Sequence, residues 1–228
     1  MIGKVKITFM MFVVSILMSA CCDANHASND KNQSVNNVQS TSKKLNIQII
    51  LGSTRKGRTS KKIGNALKNI ADKRIDITTE IIDLIDYNVP FLDDEIPPAS
   101  RKEITDPVVK RWSDKIKEAD AFIIVVPEYN SGYPGVLKNA LDSLYKEWNN
   151  KPVAFVGYSG GTSGGTSAVA QLRQVALALQ MIPIDLDITI GSAWKALDTK
   201  GNLNNKNIEN ELNAAIDQII KKKSASKK

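Results

Sequence analysis

Three short stretches of this sequence gather side chains that could hold an anion and a flat ring. Gly52-Ser53-Thr54-Arg55-Lys56-Gly57-Arg58-Thr59-Ser60 sets hydroxyls, guanidinium groups and glycine-freed backbone just ahead of an amphipathic run. At a helix N-terminus the first amides lack partners, so these groups make an anion site, and a phosphate is the expected occupant. The second stretch, Pro127-Glu128-Tyr129-Asn130-Ser131-Gly132-Tyr133-Pro134-Gly135, offers aromatic faces beside an amide and a carboxylate. Its backbone is shaped by proline and glycine, and a heteroaromatic ring could lie against it. The third, Tyr158-Ser159-Gly160-Gly161-Thr162-Ser163-Gly164-Gly165-Thr166, lets the main chain approach a ligand closely and present several N–H donors.

Two sharper motifs compete for these residues. Gly52 to Thr59 has the Walker A spacing with Arg58 where lysine belongs. Arginine is not a conservative replacement for that compact charge, and no Asp follows Val125-Val126 to hold magnesium, so nucleotide hydrolysis is set aside. Gly157-Tyr158-Ser159-Gly160-Gly161 fits the nucleophile-elbow pattern, yet the one histidine, His26, precedes all three stretches, which leaves a serine nucleophile without its base. Both cysteines, Cys21 and Cys22, are also near the N-terminus, so the region beyond them has no thiol nucleophile, disulfide or cysteine-built zinc site.

The elements that must position these stretches follow from periodicity. Short apolar runs at 46–51, 76–83, 121–126, 153–158 and 182–188 read as strands. Between them lie helical stripes: Ile63, Leu67, Ile70 and Ala71; a run near 102–118; Leu137, Leu141 and Leu144 after Pro134; Val169, Leu172, Val175, Ala176 and Leu179; and Ile208, Leu212, Ile216 and Ile219. Strict alternation predicts an α/β fold, a doubly wound five-stranded parallel sheet between two helical layers. Ligands of such sheets sit at the carboxyl ends of the strands, where all three stretches fall. Trp112, Tyr133, Tyr145 and Trp148 suit either the core or an interface between copies of the chain.

The net charge of +7 would suggest a polyanionic partner, but position argues otherwise. Lys4, Lys6, Lys221, Lys222, Lys223, Lys227 and Lys228 lie at the two ends, and setting these seven aside leaves 24 basic against 24 acidic residues. No nucleic-acid partner is expected. Residues 1–21 read as a signal peptide, with Leu17-Met18-Ser19-Ala20-Cys21 resembling a bacterial lipobox in which Cys21 is lipidated. Residues 22–44 read as a disordered polar tether, 45–222 as the folded domain and 223–228 as a basic tail. The expected location is membrane-anchored, with a cytoplasmic protein as the alternative.

Gly52-Ser53-Thr54-Arg55, Pro127-Glu128-Tyr129-Asn130, Leu137-Lys138-Asn139-Ala140-Leu141-Asp142 and the glycine-rich loop, in that order, resemble the NADPH-dependent FMN reductase family, with its chromate, quinone and azo-dye reductases. The resemblance implies a flavodoxin-like fold and bound FMN. It implies hydride taken from NADPH, or NADH, and delivered in ping-pong order to a flavin, quinone or similar small-molecule acceptor. The FMN phosphate would fall to Ser53, Arg55, Arg58, Thr59 and Ser60; Pro127, Glu128, Tyr129 and Asn130 would lie along the flavin and ribityl chain; Ser159, Gly160 and Gly161 would meet the pyrimidine edge. No side chain is assigned as a catalytic acid, and a homodimer or homotetramer is implied. Two other classes remain: a non-enzymatic FMN electron carrier, against which the near-neutral domain argues, and a lipoprotein binding module without flavin.

Overall fold

The computed structural model describes residues 43–226. The expected signal segment, Cys21, the tether up to residue 42, and Lys227 and Lys228 lie outside the described residues. β1 (Leu45–Leu51), β2 (Ile77–Asp83), β3 (Ala121–Pro127), β4 (Pro152–Tyr158) and β5 (Ile182–Ile190) form one parallel sheet in the order β2-β1-β3-β4-β5. This is the flavodoxin-type winding, whose direction reverses between β1 and β3. The helices are α1 (Ser60–Ala71), α2 (Leu84–Tyr87), α3 (Pro107–Lys117), α4 (Gly135–Asp142), α5 (Thr166–Ala178) and α6 (Lys206–Ala225), with a 3-10 turn at Ala193–Lys195.

Successive strand residues point to opposite faces, so each central strand feeds two cores. Ile47, Ile49 and Leu51 of β1 and Ile123 and Val125 of β3 pack with Ile63 and Leu67 of α1 and Leu212 and Ile216 of α6. Ile50, Phe122, Ile124 and Val126 pack on the other face with Trp112 of α3, Leu137 and Leu141 of α4, and Leu172 of α5. Each such buried side chain contributes about 1.5–3 kcal/mol, several times what helix propensity supplies per residue. The two cores therefore hold the layers and keep the carboxyl ends of the strands in register.

Three local expectations need correction. The helix expected over 102–118 starts at Pro107, because the Asp106 carboxylate accepts from Val108 N at 2.7 Å and Val109 N at 2.9 Å and proline takes the first helical position. The helix expected from Pro134 starts one residue later and ends at Asp142, leaving Leu144 buried beyond it. α6 continues to Ala225, so residues 223–225 of the expected tail are helical. Lys222 and Lys223 lie near Asp185 (3.4 Å) and Asp120 (3.8 Å), and cations suit a helix C-terminus. Of the two places left open for the tryptophans, Trp112 and Trp148 take the core, where both are fully buried. Their indole N–H groups donate to Ala140 O at 2.8 Å and Leu141 O at 3.1 Å, adding to the bonds that Ser143 Oγ (3.0 Å) and Leu144 N (3.4 Å) give the same carbonyls at the end of the short α4. Tyr133 and Tyr145 are half-buried against the same core.

Candidate functional site at the carboxyl edge of the sheet

β1, β3 and β4 bring the three stretches to one edge of the sheet, on either side of the β1/β3 reversal. Gly52 N donates to Val125 O at 2.9 Å, which ties the exit of β1 to β3. Ser53 Oγ and Tyr129 Oη lie 2.7 Å apart, and the Arg55 guanidinium stands 5.8 Å from the centre of the Tyr129 ring. The first two loops thus share a wall of hydroxyls, a cation and an aromatic face. Tyr158, the last residue of β4, is buried nearby, and that burial pushes its hydroxyl up to about 12. It keeps its proton and stays neutral throughout the physiological range, with the Ser60 hydroxyl beside it.

α1 opens directly behind the first loop. Its cap residue, Thr59, makes no side-chain capping bond, and its first turn carries no acidic residue. The leading amides are therefore without protein acceptors. Among the described residues, only Gln48 Oε1, Arg58 Nε and Ser60 Oγ are buried side-chain atoms with no hydrogen-bond partner, and two of these three lie here. Buried polar atoms ordinarily find partners. The missing element at this point is an acceptor, and a phosphate provides several, so the residues present fit the terminal phosphate of FMN.

Arg58 is more constrained than its neighbours. Its Nη2 lies 2.5 Å from Asp83 Oδ2, at the end of β2, and each side chain is 11% exposed. Asp83 Oδ1 also accepts from Ile85 N at 3.3 Å, starting α2. One edge of the guanidinium is thus committed to Asp83 while Nε stays open.

The second loop is a two-residue reverse turn. Tyr129 and Gly132 exchange backbone hydrogen bonds of 2.8 and 3.0 Å, with Asn130 at φ 52° and Ser131 at φ 64°. Positive φ at both central positions suits asparagine and defines a tight hairpin turn. Gln171 Nε2 donates to Ser131 O at 2.8 Å and holds the turn against α5. Asn130 is left exposed at its tip, whereas Pro127 is buried as the last residue of β3.

Glu128 and Ser159, both expected against the ligand, are turned into the protein. Glu128 Oε2 accepts from Ser167 N at 3.0 Å, because α5 begins after Gly165 and has no side-chain cap of its own. The carboxylate satisfies that free amide and favours the positive end of the helix. Ser159 Oγ accepts from Gly164 N and donates to Gly161 O, each at 3.0 Å. The Ser159 amide donates to Ile190 O at 3.2 Å and its carbonyl accepts from Ala193 N at 2.9 Å. Ser159 therefore clamps the third loop and has no polar group to spare for a ring.

The glycines of that loop fall into two kinds. Gly165 has φ 87°, and a Cβ there would stand 2.5 Å from Tyr158 N, so the fold itself demands glycine. At Gly160 and Gly161 a Cβ would meet no protein atom within 4 Å. Packing therefore does not require glycine at either position, and the exposed backbone there is open to the approach of a ligand.

The edge thus presents Ser53, Arg55, Thr59, Ser60, Tyr129, Asn130, Gly160 and Gly161 together, with Arg58 anchored behind them. Sequence reasoning missed Asp83, Tyr158 as a buried donor, Ser163, whose Oγ bonds Ser159 Oγ at 3.1 Å, and Trp194. An acid ending a strand that leads toward the presumed phosphate loop was the available signal for Asp83.

Residues 45–195 match the family model described as NADPH-dependent FMN reductase. The chain is 38% identical over 136 residues to an NAD(P)H-dependent FMN reductase of Schizosaccharomyces pombe, across 59% of this chain and 67% of that protein. It is 33% identical over 167 residues to a quinone reductase of Pseudomonas putida, across 70% of this chain and 85% of that protein. Among solved structures, the flavoenzyme NAD(P)H:(acceptor) oxidoreductase FerB from Paracoccus denitrificans superposes with a TM-score of 0.66 at 27% identity, covering 78% of this chain and 98% of that one.

Proposed function

The chain belongs to the NADPH-dependent FMN reductase family, and from that premise we propose that its three loops hold FMN by the phosphate and serve hydride transfer from NADPH or NADH to a quinone or flavin acceptor. The protein is a flavin-dependent oxidoreductase, which disfavours a passive electron carrier or a flavin-less binding module. When bound, FMN would supply the hydride-transfer chemistry, which no side chain of residues 43–226, free of cysteine and histidine, offers.

The observation that carries this reading is the buried, unpartnered Arg58 Nε at the open N-terminus of α1, with the buried Ser60 Oγ, whose neighbour is the Tyr158 hydroxyl, beside it. With Arg55, Ser53 and the leading amides they would bind the phosphate. Tyr129 and Asn130 would orient the ribityl chain and one side of the ring. The backbone N–H groups of Gly160 and Gly161 would face the edge where negative charge develops on reduction, and fixed donors there favour the reduced form. Glu128 and Ser159 would act indirectly, by holding the loops in place.

The test is to extract flavin from the purified full chain, identify it by chromatography, and follow NADPH oxidation with a quinone. FMN with acceptor-dependent turnover is the expected result; FAD, or no flavin uptake on reconstitution, overturns it. Two finer features belong to the same proposal. Assembly of two or more copies is supported by Phe91 and Ile96, exposed at 83% and 57%, on a segment pinned to α4 through Asn139, and light scattering reads it. Lipid attachment at Cys21 is supported by the 17–21 motif. Replacing Cys21 with Ala should release the chain from membranes or leave a heavier precursor, and unchanged mass and membrane association would refute it.

A further inference from the structure

A groove of about 640 Å³ runs between α1 and the connection from β5 to α6, with Thr59, Lys62, Asn65 and Asn69 on one wall and Trp194 and Lys200 on the other. Lys62, Asn65 and Asn69 are spaced three and four residues apart and so share one face of α1. Trp194 is 70% exposed, whereas Trp112 and Trp148 are fully buried. This large ring is displayed on a fixed support: Ser192 N donates to Gly161 O at 2.7 Å, Ala193 N to Ser159 O at 2.9 Å and Asn204 Nδ2 to Lys195 O at 2.7 Å. Asp198, the acid on the groove wall, is already occupied by Lys200 N at 2.8 Å, Asn202 N at 2.9 Å and Asn202 Nδ2 at 3.1 Å. Those bonds keep Asp198 ionised and turned to its own loop, and Lys62 and Lys200 outnumber it, so the groove is net positive, with Lys195 Nζ adding to it at 4.4 Å from the Trp194 ring centre. Thr59 belongs to the phosphate loop, and the Trp194 turn is bonded to the glycine-rich loop, so the groove opens beside the flavin cradle.

We infer that this groove binds the adenosine-phosphate half of the pyridine dinucleotide, an inference that rests on the reductase reading above. The size lies within the range of about 300–1,000 Å³ common for small-molecule sites. An exposed aromatic face suits a flat base, side-chain amides suit its hydrogen-bonding edge, and lysines suit phosphate. A neutral quinone would use the ring but gain nothing from Lys62 and Lys200.

The test titrates the flavin-loaded full chain with adenosine 2′,5′-bisphosphate while reading tryptophan fluorescence. Saturable quenching is expected in the wild type and not in Trp194→Ala, since the two remaining tryptophans are buried. In steady state, Trp194→Ala and Lys200→Ala should each raise KM for NADPH by about tenfold and leave KM for the quinone in place, with Trp194→Phe recovering most of the loss. Absence of quenching in the wild type, or a rise in KM for the quinone in place of NADPH, overturns the inference. Failure of the reductase reading shows separately, as a wild-type chain that takes up no FMN or oxidises no NADPH, because the bisphosphate titration reads the groove without turnover.

Discussion

Arg58 Nη2 and Asp83 Oδ2 lie 2.5 Å apart with both side chains 11% exposed, so the end of β2 holds a cation that belongs to the loop after β1. Replacing Asp83 by Asn leaves the guanidinium without its counter-charge in a largely dry place, and the unfolding free energy should fall by about 3 kcal/mol. A bound phosphate restores an anionic partner to the same group. FMN should therefore raise the Tm of Asp83→Asn by more degrees than it raises that of the wild type. Equal increments in a thermal scan would show that Arg58 does not sense the phosphate.

Lys151, at the entry of β4, donates to Ile116 O at 2.7 Å and Lys117 O at 3.3 Å. Burial, and secondarily Lys223, bring its pKa from 10.5 down to about 8 against the opposing pull of Asp120 and Glu147. The folded chain then releases this proton more readily than the unfolded chain. Between pH 8 and 10.5 the unfolded state binds more protons, so this group makes stability rise with pH. The difference in unfolding free energy between wild type and Lys151→Met should move in favour of the wild type across that window. A difference that stays flat would mean that the amine is hydrated in the folded protein as it is in the unfolded one.

The meeting of the three loops at the carboxyl edge of the sheet was legible because alternation of apolar strands and amphipathic helices fixes where strand ends fall, whatever the tertiary details. The direction taken by particular side chains was not. Glu128 turns inward because α5 starts behind Gly165 without a cap, and the need for that carboxylate arises only once the second and third loops meet. Arg58, in the loop after β1, and Asp83, at the end of β2, are 25 residues apart, and no local pattern couples them. Lys102 and Glu103 tolerate a helix, yet the Asp106-Pro107 cap outranks that tolerance and delays the start of α3. Whether Trp112 and Trp148 belong to core or interface stayed open in sequence, because it depends on the end of α4, whose Ala140 and Leu141 carbonyls accept from their indoles.

Arg55, unlike Arg58, is a cation of the first loop free to bind without a cost in stability. It is exposed, with its amide on Ser53 Oγ at 3.3 Å and its charge over Tyr129. Arg55→Ala removes a charge-assisted hydrogen bond worth about 1.5–3 kcal/mol, so calorimetric titration of the flavin-stripped chain should show FMN affinity reduced by about tenfold to a hundredfold. The Tm without flavin should hardly move. Arg55→Lys should recover only part of the affinity, since an ammonium lacks the planar fork that matches phosphate. Wild-type affinity in Arg55→Ala would place the phosphate elsewhere.

Gly160 and Gly165 lie five residues apart in one loop and should respond in opposite ways to an added side chain. At Gly160 the backbone is outside the left-handed region and a Cβ meets nothing within 4 Å, so Gly160→Val should unfold within about 0.5 kcal/mol of the wild type. Its branched side chain would occupy the space where the ring edge is placed, and FMN affinity should collapse. At Gly165, φ is 87° and a Cβ would stand 2.5 Å from Tyr158 N and 2.9 Å from Gly157 C, both backbone atoms that cannot swing aside. The left-handed conformation alone costs a non-glycine residue about 1–2 kcal/mol, and the close contact adds to it, so Gly165→Ala should lower stability by more than that amount. Thermal unfolding of the flavin-stripped variants, paired with FMN titration, separates the two effects. A Gly160→Val chain that binds FMN as tightly as the wild type would move the ring off the third loop, leaving the first two loops to account for cofactor binding.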